Sequence, residues 1–391
     1  MIMKKLLLFL VTIMLPLVAI ADDSGTCGGN LTWTYEEATN TLTISGNGPM
    51  SDFGYYNIPW YQHRESITTV TIEDGVTSIG NWAFGYCYNL NTIIIPNSIL
   101  SIGTYSFWQC YDLTQITLPN NLTTIADQAF AHCGFKSINI PNSVTSIGKG
   151  AFHSCGITSV NIEDIAAWCN ISFGDENANP LCYAGQLYMN SEEINNIEIP
   201  SSVTFIGNYT FYHCQNLKSV RFLGDVISIG ESAFYNCSNL HSISIPNSLS
   251  SIGSCAFSYC SSLASITIPE DVKSIGRNAF SECRGLTSIK IPNGLTSIED
   301  GTFSGCSNLT SITIPSNVTT IGNYAFNDCS GLTSIAIPSG VTSIGSGAFY
   351  GCSGAVSINI PDNVANIYDC TFYKCSSLSS ISIPNSVSKR V

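Results

Sequence analysis

The chain has 391 residues, of which only 10% are charged, and its 27 acidic against 14 basic residues give a formal charge of −13. That balance argues against nucleic acid and anionic membrane as partners, because both attract basic patches. Ordinary domains carry about 25% charged residues, so hydroxyl groups and Asn must solvate this surface, and 391 residues exceed one compact core unless the core grows coil by coil.

Residues 1–21 read as a signal peptide: Lys4-Lys5, an apolar run from Leu6 to Ile20, and Ala19-Ile20-Ala21 as a small-residue cleavage site. A retained anchor is the rival reading, but Pro16 and the cleavage motif favour removal, so the mature chain starts near Asp22. No later stretch approaches the roughly 18 apolar residues of a membrane span, so no membrane insertion is expected after cleavage. The expected location is secreted, periplasmic or at the cell surface.

Residues 22–66 are expected to form a β-hairpin cap. Leu31-Thr-Trp33-Thr-Tyr35 and Thr41-Leu42-Thr43-Ile44 alternate like two strands around a turn at Glu36 to Asn40. Tyr55, Tyr56, Trp60 and Tyr61 follow, then Trp82, Tyr86, Tyr88, Tyr105, Trp108 and Tyr111. Such rings suit sugar faces and protein hot spots alike, which makes Trp82 and Trp108 binding candidates; packing against the cap is the plainer explanation.

From residue 67 to 391 one unit recurs, clearest in Ile291 to Pro315 (IPNGLTSIEDGTFSGCSNLTSITIP). Phe211, Phe234, Phe257, Phe280, Phe303, Phe326, Phe349 and Phe372 fall 23 residues apart, each with a Cys three positions later, and four earlier copies stand at Phe84, Phe107, Phe130 and Phe152. A fixed period of this length means a stacked array in which no unit buries its apolar face alone. Leu309, Ile312 and Ile314 have the spacing of a short strand facing inward, with Ser311 and Thr313 outward and Pro315 ending it. Val318 and Ile321 make a second short run, Gly322 a corner, and Ala325, Phe326 and Cys329 have the spacing of one helical turn.

This pattern, IPxxVTSIGxxAFxxCxxLTSIxIP, resembles the BspA-like leucine-rich repeat surface proteins over roughly Ile67 to Val387. The resemblance implies a leucine-rich repeat solenoid, β-rich, with a stacked parallel sheet and short helical turns. It also implies surface exposure and adhesion to an extracellular protein ligand, such as a host matrix protein, or to other cells.

Between Phe152 and Phe211 the step lengthens to 59 residues, giving an irregular insertion at about 163–195. Ile165 to Cys169 looks like a short helix, Gly174 to Pro180 a loop, and Leu187 to Ile194 a hairpin, with the variant coil expected to bulge from one edge. Asp175 and Glu176 could donate oxygens to calcium, but no calcium-loop spacing is present and a solvated acidic face explains them better. In-register ladder thiols would stand about 4.8 Å apart with parallel Cβ directions, unsuited to bonding, so they are expected as buried free thiols. Cys169 and Cys182, which flank the insertion loop, are the best candidates for a disulfide.

No zinc spacing, nucleophile elbow or phosphate loop occurs, so neither a cofactor nor catalysis is expected. What remains is surface. Two outward rows of the strand face are binding candidates: Ser242, Ser265, Ser288 and Ser311 in one, and Ser244, Thr267, Lys290 and Thr313 in the other. Short, nearly uncharged side chains in rows suit many weak hydrogen bonds to an extended ligand, or serve only strand propensity. A carbohydrate-binding module using the N-terminal aromatics is the alternative reading, so a glycan partner stays open beside the protein one. The chain stops at Pro384 to Val391 inside what reads as another coil, without a visible cap or wall anchor.

Overall fold

The computed structural model describes residues 23–387 and the backbone of 389–390, so the signal peptide expected at residues 1–21 lies outside the described residues. The chain opens with β1 (Asp23–Gly28), β2 (Leu31–Glu36) and β3 (Thr41–Gly46), paired antiparallel in that order. Leu31, Trp33, Tyr35, Leu42 and Ile44 alternate inward and are buried. The hairpin of β2 and β3 matches the spacing; β1, with Gly at two of six positions, gives no strand signal. β3 then pairs parallel with Thr69–Ile72, Leu42 opposite Val70 and Ile44 opposite Ile72, which turns an antiparallel cap into a parallel stack.

Most coils contribute one short strand to each of two parallel columns. In the first, Ser288–Lys290 pairs with Ser311–Thr313; in the second, Thr320–Ile321 pairs with Ser343–Ile344. The inward residues Leu309, Ile312, Ile314, Val318, Ile321, Phe326 and Cys329 are all buried, and each apolar side chain so buried contributes about 1.5–3 kcal/mol. Phe rings of successive coils stack along the axis, from 5.2 Å at Phe84 and Phe107 to 5.9 Å at Phe349 and Phe372.

The third side is not helical. The residues two before and two after each Phe take left-handed φ, as at Trp82 (60°) and Tyr86 (63°). Alternate N–H groups therefore point along the axis: Trp82, Phe84 and Tyr86 donate to the carbonyls of Thr104, Ser106 and Trp108 at 2.7 to 2.9 Å. The N–H groups between them close tight turns, such as Gly85 to the Trp82 carbonyl at 3.0 Å. Helical spacing and this alternation place the same residues inward, but only the alternation forms a ladder between coils.

The thiols are part of that construction. Cys110 Sγ donates to the Phe84 carbonyl at 3.2 Å, Cys133 to Phe107 at 3.1 Å, and Cys329 to Phe303 at 3.1 Å. Except at Phe152, where the insertion follows and Cys214 Sγ turns to Asn216 Oδ1, and at the last, Phe372, each Phe carbonyl thus receives the N–H of its own coil's Cys and the S–H of the next coil's.

The insertion is a disguised coil rather than a bulge. Val160 pairs with Leu187 in the first column and Ser146 with Ser172 in the second. Between them lie α1 (Ile165–Cys169), capped by Asp164 on the Ala167 N–H at 2.7 Å, and α2 (Leu181–Ala184). Trp168, Cys169, Leu181 and Leu187 point into the shared core, so the segment stays in the stack. The expected hairpin forms, with Tyr188 opposite Glu193.

Candidate functional site

The strand face is regular and plain. Ser242, Ser244, Ser265, Thr267, Ser288, Lys290, Ser311 and Thr313 are all exposed, with Ser265 beside Ser288, Ser288 beside Ser311, and Lys290 beside Thr313. Lys290 pairs with Glu270. The hydroxyl row just before these residues is structural: Thr287 Oγ1 donates to the Ala264 carbonyl at 3.2 Å and Thr310 Oγ1 to Thr287 at 3.3 Å.

Trp82 and Trp108 do not join those rows. They stand on the turn face, half-buried, within one continuous cluster. Trp82 stacks on Tyr105 at 4.4 Å; Trp108 meets Trp82, Tyr86 and Tyr105 edge-on at 81° to 89°. Tyr55 abuts Tyr86 at 4.7 Å and Trp82 at 5.8 Å, and Tyr88 stacks on Tyr111 at 5.7 Å. His132 and His153 continue the line beyond Trp108, and the Tyr183 hydroxyl bonds His153 Nδ1 at 3.3 Å. Burial pushes the Tyr86 and Tyr88 phenols up, so both hydroxyls keep their protons and can donate. Left-handed φ at Trp82, Tyr86 and Tyr105 turns these side chains outward from the ladder. At the C-terminal end the same rows hold Glu282, Gly305, Ser307, Asp328 and Gly351, which line an open groove of about 660 Å³. There, as at Gly347 (φ 60°) beneath the Tyr324 ring, a missing side chain leaves room for the large one of the preceding coil.

The remaining expected sites take structural roles. Cys169 and Cys182 are free thiols in the structure, not a disulfide: Cys169 is buried at the end of α1, while Cys182 on α2 sits against Asn177 Oδ1 at 3.9 Å. Burial raises them to about 12 and about 11. Asp175 Oδ1 accepts the N–H groups of Gly150 at 2.9 Å and Ala178 at 2.8 Å, which ties it to the backbone. Among the described residues, no three His, Cys, Asp or Glu gather as a metal group would require.

Several roles carry no sequence signal of their own. Trp60 Nε1 donates to the Ala83 carbonyl at 2.8 Å and Trp168 Nε1 to Thr210 at 2.9 Å. Both carbonyls precede a ladder Phe, where a neighbouring coil normally supplies the donor. Asn179 Nδ2 reaches Tyr209 at 2.7 Å and Thr210 at 3.1 Å, and Asn216 exchanges two bonds with the Leu187 backbone. Repeated indole or amide placement opposite a Phe-minus-one position is the only trace these splices leave.

Comparison with known proteins agrees with this geometry. The family model for the BspA type leucine rich repeat region, six copies long, matches residues 59–178, 184–310 and 296–390. No curated protein matches the chain. A leucine-rich repeat protein from Eubacterium ventriosum is 26% identical, with 84% of this chain and 95% of that one covered and a TM-score of 0.56. One from Bacteroides ovatus is also 26% identical, covering 91% and 94%, with a TM-score of 0.54. A leucine-rich cell surface protein from Faecalibacterium prausnitzii aligns at 23% identity over 93% of this chain and 95% of that one, with a TM-score of 0.49. The chain belongs to the BspA-type leucine-rich repeat proteins.

Proposed function

We propose that this repeat protein is a non-catalytic binding protein, secreted or displayed at the cell surface, which adheres to extracellular proteins or to other cells. The observation that carries this reading is the turn face. Nine Trp and Tyr residues, from Tyr55 to Tyr111, stand in mutual contact on the outside of a rigid stack. These are residue types that dominate protein-binding hot spots, and a solenoid holds them without ordering cost. Stacking of Trp82 on Tyr105 occupies ring faces that a sugar would need, which favours protein over glycan. The test is binding of the chain from residue 22 onward to parallel arrays of extracellular matrix proteins, whole bacterial surfaces and glycans. Capture by a protein is expected. Glycan capture lost on Trp108→Ala, with the proteins silent, overturns the proposal in favour of carbohydrate binding.

A further inference from the structure

Charge is unevenly spread along the solenoid. Between residues 23 and 135 there are nine carboxylates and a single Arg, whereas residues 270–390 hold eight carboxylates and seven Lys or Arg. The acidic third is the one that carries the aromatic cluster. Exposed carboxylates flank that cluster on both sides. Asp52 caps the N–H of Asn81, next to Trp82, and Asp127 lies in the coil that accepts the Tyr105 N–H. On the other side Asp112 follows Tyr111, and its N–H bonds the Tyr88 carbonyl; Glu65 accepts from Asn89 through its carbonyl.

The lone Arg of this region shows what the surface holds. The Arg64 guanidinium lies over the Tyr61 ring at 4.0 Å and pairs with Glu65 at 3.0 Å. The cluster thus already binds one cation of its own chain by ring face and carboxylate together. Further ring surface stands open, since Tyr56 is 78% and Tyr111 50% exposed. A cation is drawn to an aromatic face by the ring quadrupole, and neighbouring carboxylates deepen the attraction.

We infer that the aromatic cluster of the first two coils, with Asp52, Glu65, Asp112 and Asp127 around it, docks a cationic segment of a protein partner, bearing Lys or Arg side chains. This rests on the protein-binding function proposed above and names the partner chemistry for that face. The hydroxyl rows of the strand face lack both rings and unpaired carboxylates, and are not part of this site.

The test titrates the chain from residue 22 with a Lys-Ser repeat peptide and with its Nε-acetylated counterpart, reading tryptophan fluorescence and calorimetry. The charged peptide is expected to bind and the acetylated one not. Tyr111→Leu and Trp108→Leu should each weaken binding by roughly three- to five-fold. Asp52→Asn with Asp112→Asn should weaken it further and flatten its loss between about 0.05 and 0.5 M salt. Circular dichroism checks that each variant folds, and Ser288→Ala with Ser311→Ala serves as the strand-face control. Equal binding of the acetylated peptide, or ring variants that bind like the parent, overturns the inference. A matrix protein captured by the parent and lost only from the strand-face variant overturns it too, while leaving protein binding intact; capture of glycans alone removes both.

Discussion

At the scale of single residues, the five Trp do three different jobs. Trp33, Trp60 and Trp168 are at most 4% exposed, while Trp82 and Trp108 are only partly buried. Trp60 and Trp168 start the Phe column where it has no preceding coil to build on: Trp60 stacks on Phe84 at 5.7 Å and donates to Ala83. Trp60→Phe keeps the ring and removes the donor, leaving a buried carbonyl that has lost its partner, and should cost about 1–3 kcal/mol. Trp168→Phe should cost less, because Asn179 still serves Thr210. Urea unfolding followed by circular dichroism checks both; equal midpoints for Trp60→Phe and the parent, with an unchanged slope, overturn the assigned role. Sequence alone separates none of these roles, since aromatic content marks a region and not the side of the coil on which a ring lies.

At the scale of the element, the thiol column makes the stack sensitive to alkali. An unfolded thiol ionises near pH 8.5, whereas burial holds Cys155, Cys214 and Cys306 at about 12. Below about pH 8.5 both states keep the proton and the contribution is complete. Between there and about 12 the unfolded chain has released its proton while the folded chain retains it, so stability falls by up to about 1.4 kcal/mol per thiol per pH unit. Cooperative loss of β signal is expected above about pH 9, with the ladder thiols alkylated by iodoacetamide only in step with it and exposed Cys370 labelled beforehand. Alkylation of the ladder with the β signal intact overturns this. The column's position was legible from the 23-residue spacing of Cys after Phe, as were both strand columns from Leu-x-x-Ile-x-Ile and Val-x-x-Ile. Its hydrogen bonds were not, because the left-handed residues that aim each Phe carbonyl at the next thiol include Tyr86, His132 and Asp328, none of which announces that conformation as Gly does. The same alternation hid the binding cluster: helical spacing keeps Trp82 and Tyr86 on one face, but it gives no reason for them to project outward from a ladder.

At the scale of the molecule, the coils are bonded unequally. Where one strand column is interrupted, as between Ser242–Ser244 and Ser265–Ile266, the other runs through. Only at the insertion do both stop together, after Ser172–Phe173 in one column and Glu192–Glu193 in the other, and there the Phe stack also ends at Phe152 and resumes at Phe211. Side chains bridge the break. Asn216 accepts the Leu187 N–H at 3.2 Å and donates to its carbonyl at 2.9 Å, standing in for a peptide unit. In a linear array stability is a sum of unit and interface terms, so the weakest interface decides whether the array unfolds as one body. Removing both amides in Asn179→Ala with Asn216→Ala takes away bonds worth about 1–3 kcal/mol for each buried group left unpaired. The block before the break should then unfold apart from the block after it. Four of the five Trp lie well inside the first block and Trp168 stands at the break, so fluorescence reports chiefly the first block while circular dichroism reports both. Separate urea midpoints by the two probes are expected in the double variant. Coincident midpoints at lowered stability would show instead that packing of Trp168, Leu181 and Leu187 across the break couples the blocks without those bonds.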